Sequence, residues 1–296
     1  MSKIPMGHKP VLLNEVLANI VLEPKDYFID ATLGAAGHSL AICGKYPGVS
    51  IIGFDLDPQA RQIAEEKLNK AGCNFRIISQ NFKELEMAGA RNVGAILFDL
   101  GLSSMELQNS GRGFSFLRDE PLIMTFGEPK DYIFTAKDIV NDWSEENLKA
   151  ILFGFGEERY AAKIAKAITR AREGKPIATT FDLVAIIASA VPGNYKRGRL
   201  HYATKTFQAL RIAVNDELKT LSASLPKAFD LLKTGGRMLV ISFHSLEDRI
   251  VKHFFQAKKK EEKAFLLTKK PIIATAEEIR ENPRSRSAKL RILEKI

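Results

Sequence analysis

From Tyr27 to Leu100 the chain alternates between two hydrophobic periods, and few folds accommodate that alternation. Tyr27–Thr32, Val49–Asp55, Phe75–Ser79 and Ala95–Leu100 are short, continuous apolar runs. A strand covered by helices on both faces has such a run, because neither face meets water. Between the second and third runs, Pro58 to Ala71 carries Ala60, Ile63, Ala64, Leu68 and Ala71 at helical spacing. Strand–helix–strand alternation with short connections predicts a doubly wound α/β sheet.

The alternation stops near Glu106. From there to Ala213 the sequence is loop-rich and then helical, with helices expected over Ser144–Phe153, Glu157–Glu173 and Thr180–Ala190. Ser144 and Thr180 are the candidate N-caps. No strand is expected in this stretch. The α/β pattern resumes with a helix over Asn215–Leu232, a turn at Gly235-Gly236 and a buried strand running to Phe243. A helix over Asp248–Lys260 and an edge strand over Lys289–Leu293 complete the chain. The expected organisation is one α/β domain, residues 1–105 and 214–296, interrupted by a helical insertion, residues 106–213.

Ligands of open α/β sheets bind at the carboxyl ends of the strands. The first strand is followed by Asp30-Ala31-Thr32-Leu33-Gly34-Ala35-Ala36-Gly37-His38-Ser39, whose small residues let backbone approach a ligand closely. No Gly-Lys-Ser/Thr follows, so this is not a phosphate loop. Asp55 ends the second strand, roughly 20 residues beyond the small-residue turn, where a carboxylate can accept from both ribose hydroxyls. Asp57 reads as the N-cap of the next helix, with Pro58 in its first position. Phe82, after the third strand, is placed to stack on an adenine or to fill the core. Asp99, after the fourth, is placed to face the cleft or to be a buried structural acid. Nothing in the set calls for a pyrophosphate, so an adenosine cofactor such as S-adenosylmethionine suits it better than NAD.

Charge supplies the partner. Lys and Arg number 44 against 35 Asp and Glu, a net of +9, which favours an anionic partner and most often nucleic acid. Tyr195 to Arg211 contains Lys196, Arg197, Arg199, Lys205 and Arg211 and no acid. Lys252 to Lys295 holds 13 Lys/Arg against 6 Glu. Lys258–Lys260 reads as a solvated face. His201 stacks on RNA or packs, and Trp143 reads as a packing anchor. No apolar run reaches the roughly 18 residues of a membrane-spanning helix. Met1 to Pro10 lacks a signal-peptide core. Two cysteines, Cys43 and Cys73, cannot build a disulfide framework or a four-thiolate zinc site. Both are expected to be small hydrophobic residues in a reducing cytoplasm, and no metal site is expected.

Seven blocks in order carry a resemblance that covers nearly the whole chain. They are His8 to Glu15, Asp30 to Ser39, Phe98 to Ser104, Gly111 to Phe116, Ala203 to Ile212, Ile241 to Arg249 and Asn282 to Arg291. The sequence resembles the ribosomal RNA small subunit methyltransferase H, or MraW, family. The resemblance implies a Rossmann-like class I methyltransferase sheet. It also implies S-adenosylmethionine-dependent methylation of the N4 amine of a cytidine in the decoding region of 16S rRNA. It carries cofactor contacts onto Ala36, Gly37, His38, Asp55, Phe82, Asp99 and Glu106. Arg112, Lys205, Arg211, Arg284 and Arg286 are the candidate RNA contacts, and no catalytic base is assigned.

The sequence departs from the family pattern in three places. Glu106 stands where the family usually has Gln. Ala36 stands where it usually has Gly. Ile123 and Thr125 stand where Pro-Leu-Asp-Met-Arg is typical. If that acid and base only pair with each other, their joint loss leaves no unpaired charge. These departures motivate an alternative, a non-catalytic rRNA-binding assembly factor that retains the fold. A DNA N4-cytosine methyltransferase is a further alternative. Such enzymes usually carry Ser/Asp-Pro-Pro-Tyr after the fourth strand, and here the loop reads Asp99-Leu100-Gly101-Leu102.

Overall fold

A computed structural model describes residues 10–102 and 110–296. The described residues of Met1–Gly101 and Leu218–Ile296 form one compact unit, and those of Leu102–Glu217 a second.

The first unit is built on an eight-stranded sheet. Its strands are β1 (Tyr27–Asp30), β2 (Ser50–Phe54), β3 (Asn74–Ile78), β4 (Val93–Asp99), β5 (Leu232–Ser242), β6 (Ala264–Leu266), β7 (Ile272–Ile273) and β8 (Lys289–Lys295). The strand order is β3-β2-β1-β4-β5-β8-β6, with β7 also on β8. β1 to β5 pair in parallel, while β8 runs antiparallel to β5, β6 and β7. The doubly wound α/β sheet expected from the alternation is present. The order reverses between β1 and β4, which is the topological switch point where such sheets bind ligands.

Side chains alternate between the two faces. Phe28, Ile51, Leu97 and Ile241 join one core with Leu12, Val16, Ile42 and Leu68 of the helical layer. Ile29, Ile52, Phe98 and Val240 join the other with Leu221, Leu225, Phe229 and Phe255. The first layer contains α1 (Leu13–Asn19), α2 (Gly37–Lys45) and α3 (Pro58–Lys70). As expected, α3 starts with Pro58 behind an Asp57 cap, whose Oδ1 accepts from the Gln59 N–H at 2.9 Å.

The second unit is helical: α4 (Ala136–Asp142), α5 (Glu145–Gly154), α6 (Ala161–Gly174), α7 (Thr180–Ala190), α8 (Gly193–Lys196) and α9 (Thr204–Asn215). Its core gathers Phe114, Leu148, Ile164, Ile187, Phe207 and Leu210. Ser144 caps α5 as expected, and Trp143 packs edge-on against Phe134.

Four expectations are corrected. Lys289–Leu293 is no edge strand: β5 covers one side of β8, while β6 and β7 cover the other. Thr179, not Thr180, caps α7, because Thr179 and Asp182 close a capping box and the Thr180 hydroxyl turns to the Arg118 carbonyl. The helix expected over Asn215–Leu232 is broken at Asp216, in the left-handed region at φ 48°. Beyond the break α10 (Glu217–Leu231) begins, and α11 (Ser245–Lys260) and α12 (Ala276–Glu281) follow later in the chain. Finally, Cys43 and Cys73 are not unpaired: they form a disulfide with Cα atoms 5.9 Å apart. α2 and α3 pack on the same face of the sheet, so the end of α2 meets the turn after α3. No helix among the described residues is long and apolar enough to cross a membrane.

Candidate functional site

β1 ends on Asp30, and the chain turns through Ala31–Ala36 into α2. Two residues of this turn, Gly34 (φ 50°) and Ala36 (φ 61°), lie in the left-handed region. Ala36 caps α2 by backbone alone, and its methyl is fully buried in the core rather than directed outward. Gly37 admits Pro10 against the turn, since a Cβ there would lie 2.5 Å from the proline ring.

Asp55 stands across this turn. Its Oδ2 accepts from the Gly34 N–H at 2.7 Å and its Oδ1 from the Asp57 N–H at 2.8 Å. Each carboxylate oxygen keeps a lone pair for a further donor. Burial nevertheless pushes its pKa up to about 6.

Asp30 and Asp99 end the two strands that flank the switch point. The Asp99 N–H donates to Thr32 Oγ1 at 2.7 Å, tying the strand ends together. Asp30 is buried, accepts from the Ser39 hydroxyl at 2.7 Å and has its pKa raised by burial to about 6. Asp99 is raised well above the ordinary carboxylate range, first by burial and then by the charges of Asp30 and Glu247. Its Oδ1 is buried and finds no hydrogen-bond partner among the described residues. A buried acceptor left unpaired is costly, so such an atom marks where a ligand donor fits.

His38 lies beside this pair. Its Nε2 sits 3.0 Å from the Val11 carbonyl, which can only accept, so Nε2 carries the hydrogen. Its Nδ1 faces Asp99 Oδ2 across 3.6 Å. Phe82 opens a 3-10 turn, Phe82–Ala88, and packs edge-on against Phe98 at 5.5 Å while remaining half-buried. Phe82 is thus packed against the core and keeps a minor part of its surface accessible, which leaves room for both the core and the ligand-stacking readings. Glu106 lies outside the described residues, as do His8, Lys9, Ser103 and Ser104.

The sequence reading assigned no role to two residues here. Asp30 was signalled only by its position at a strand end. Glu247 is buried, and its Oε2 accepts from the Phe243 and His244 N–H groups at 2.8 and 3.3 Å. The signal for Glu247 was its place three residues after His244, as the second half of a capping box opening α11.

The basic candidates divide sharply. Arg112 donates to the Thr125 and Phe126 carbonyls at 3.2 and 2.7 Å. Arg211 donates both arms of its guanidinium to Glu217 at 2.8 Å, with about a tenth of either side chain exposed. These two fasten their own unit. Lys205, half-buried, donates to the Glu157 carbonyl at 2.7 Å. Arg286 is exposed and Arg284 half-buried. Nearby in sequence, Arg291 and Lys289 close on Asp248 at 2.6 and 3.4 Å. Thr125 is fully buried and donates to the Gly127 carbonyl at 2.9 Å.

The sequence model described as the MraW methylase family matches residues 5–296. A Persephonella marina protein named ribosomal RNA small subunit methyltransferase H is 45% identical over 293 residues, covering 98% of this chain and 99% of that one. A protein of the same name from Coprothermobacter proteolyticus is 46% identical over 293 residues, covering 97% and 96%. One from Nostoc sp. is 43% identical over 302 residues, covering 100% and 97%.

Proposed function

The chain belongs to the MraW methylase family, and on that premise we propose that it uses S-adenosylmethionine to methylate the N4 amine of a cytidine in the decoding region of 16S rRNA. The substrate is then the small ribosomal subunit and the compartment the cytoplasm. The relatives' names supply the ribosomal substrate. The observation that carries the cofactor is the group of carboxyls at the switch point, with Asp99 Oδ1 buried and unpaired. Among the described residues neither Asp30 nor Asp99 has a Lys or Arg partner. A cationic ligand relieves their mutual repulsion, and an anionic pyrophosphate aggravates it.

S-adenosylmethionine supplies a methyl group activated by a positively charged sulfonium. Asp55 fits the ribose diol, because each of its oxygens keeps an acceptor site. Phe82 offers its half-buried ring to the adenine. Ala36, Gly37 and His38 bring the start of α2 to the methionine end, and Glu106 follows from the family resemblance. Asp99 is the acceptor for an amino donor. The target amine is a poor nucleophile, since its lone pair is delocalised into the ring. Orientation is therefore the main task, worth up to about 7–11 kcal/mol in favourable systems. The base must be unpaired or flipped out to reach the strand ends. Asp99 and the Leu100 and Gly101 carbonyls can accept from its N–H groups. The alkylated amine loses its proton readily, so no strong base is required.

The first unit takes the cofactor, and the second, with the C-terminal residues, takes the RNA. Lys205, Arg284 and Arg286 carry the RNA contacts in this reading. Arg112 and Arg211 support the fold of the unit that presents Lys205. The buried, satisfied Thr125 favours a structural role for the Asp and Arg that this sequence replaces.

The test is transfer of labelled methyl groups to 30S particles, naked 16S rRNA and DNA, followed by mass spectrometry of the modified nucleoside. N4-methylcytidine on the small-subunit RNA supports the reading. Cofactor binding without transfer to any substrate moves the chain to the assembly-factor alternative, and transfer to DNA alone to the third.

A further inference from the structure

Arg112, Arg172 and Arg211 of the second unit donate to carbonyls or a carboxylate, and among the described residues Arg159 does neither. It is exposed, with its guanidinium carbon 4.9 Å from the Tyr160 ring centre and 4.7 Å from that of Tyr195. The two rings meet edge-on at 4.9 Å. A fully buried carboxylate holds them: Glu158 accepts from the Tyr195 hydroxyl at 2.6 Å and from the Tyr160 N–H at 2.8 Å. The guanidinium is thus in contact with both rings, while its N–H groups make no hydrogen bond or ion pair among the described residues.

The chain next to Tyr195 continues the pattern. Lys196, Arg197 and Arg199 are exposed and have no carboxylate partner among the described residues. Pro192 to Lys205 contains no acid. The stretch ends at His201, which stacks on Phe116 at 4.4 Å and on Tyr202 at 4.2 Å.

We propose that Arg159, set between Tyr160 and Tyr195, is the anchor of a landing surface for a single-stranded RNA segment, continued by Lys196, Arg197 and Arg199. The inference rests on the rRNA reading above and extends it to residues for which that reading does not account. A guanidinium seated against aromatic rings keeps its rigid fork of five donors for phosphate or base edges. Stacking platforms joined to uncompensated cations are how single strands are held, because only unpaired bases offer free faces. A duplex engages the cations alone. An acidic polypeptide does the same and gains nothing from the rings.

The experiment uses the full chain and fluorescence anisotropy with labelled oligoadenylate, an RNA duplex of equal length, and polyglutamate as competitor. Arg159→Gln is expected to weaken single-strand binding roughly 5- to 30-fold and duplex binding less. The single-strand salt slope should fall by about 0.7 for the lost charge. Arg159→Lys should restore the slope but not the affinity. The triple variant K196E/R197E/R199E should weaken both RNAs. Cofactor affinity and melting temperature serve as folding controls. Unchanged single-strand binding by Arg159→Gln overturns the inference, as does displacement of RNA by polyglutamate at equal charge concentration. Methylation of 30S particles separates the two claims. If wild type transfers methyl and Arg159→Gln does so with the same KM, this inference falls and the rRNA reading stands. If wild type transfers none, the rRNA reading falls first.

Discussion

Asp30 and Asp99 have no Lys or Arg partner among the described residues, and the cations around Arg159 have no carboxylate partner there; the two groups differ in sign and in surroundings. Asp30, Asp55 and Asp99 are withdrawn from water, and the cost shows as raised pKa values. Arg159, Lys196, Arg197 and Arg199 lie in water, where an unpaired cation costs little. The difference is one of range. A buried acid acts on what enters its own cavity, whereas exposed cations draw a polyanion from about a Debye length away. An uncompensated charge is therefore informative only together with its burial.

The largest test of this contrast removes a cation that has a partner. Arg211→Ala leaves Glu217 unpaired and largely buried, and should cost about 3 kcal/mol of stability, read as a lower denaturant midpoint. Arg197→Gln and Arg199→Gln should cost less than about 0.5 kcal/mol in the same assay. Equal losses would erase the distinction between fastening and presenting cations.

Next come the acids. Asp99→Asn should weaken S-adenosylmethionine binding by about 1.5–3 kcal/mol, the worth of a hydrogen bond to a charged group, measured by calorimetry. Asp30→Asn should weaken it less without lowering the melting temperature at pH 7. The sign follows from linkage. A carboxyl whose folded pKa is raised from 3.8 to about 6 costs the fold nothing well below pH 4 and its full penalty above pH 6. The amide escapes that penalty.

The same linkage gives a pH profile. Cofactor affinity should fall as pH drops through about 6, by roughly tenfold per pH unit below it for each carboxyl that must be ionised. A flat profile between pH 7.5 and 5 would detach these acids from the ligand. The smallest effect is at Ala36. Glycine there relieves about 1–2 kcal/mol of left-handed strain but gives up a buried methyl and gains unfolded-state freedom. The net change in stability should stay below about 1 kcal/mol, with cofactor affinity unaltered because the methyl faces the core.

These residues also show what a sequence discloses. β1, β2, β4 and β5 were legible because strands buried on both faces must be continuously apolar. β8 was misplaced at an edge because its outer partners, β6 and β7, span only three and two residues, too short to carry a pattern. Asp216 broke a helix that periodicity ran straight through, since a single left-handed residue leaves the apolar spacing nearly intact. Asp55 and Asp57 could be told apart from spacing and the following proline. The pairing of Arg211 could not, because its partner lies six residues on, across that break, where no helical spacing rule applies. The ring contacts of Arg159 join segments about 36 residues apart, and only tertiary packing aligns them.

The Cys43–Cys73 bond changes the chain from a line into a line with a ring. β2, Asp55 and α3 all lie within the closed segment, so the ribose acid is carried on a covalent circle fastened to the helix that follows the small-residue turn. A protease that nicks the backbone between residues 44 and 72 therefore releases no fragment. The cut protein migrates as one molecule until a thiol opens the circle, and then separates into two.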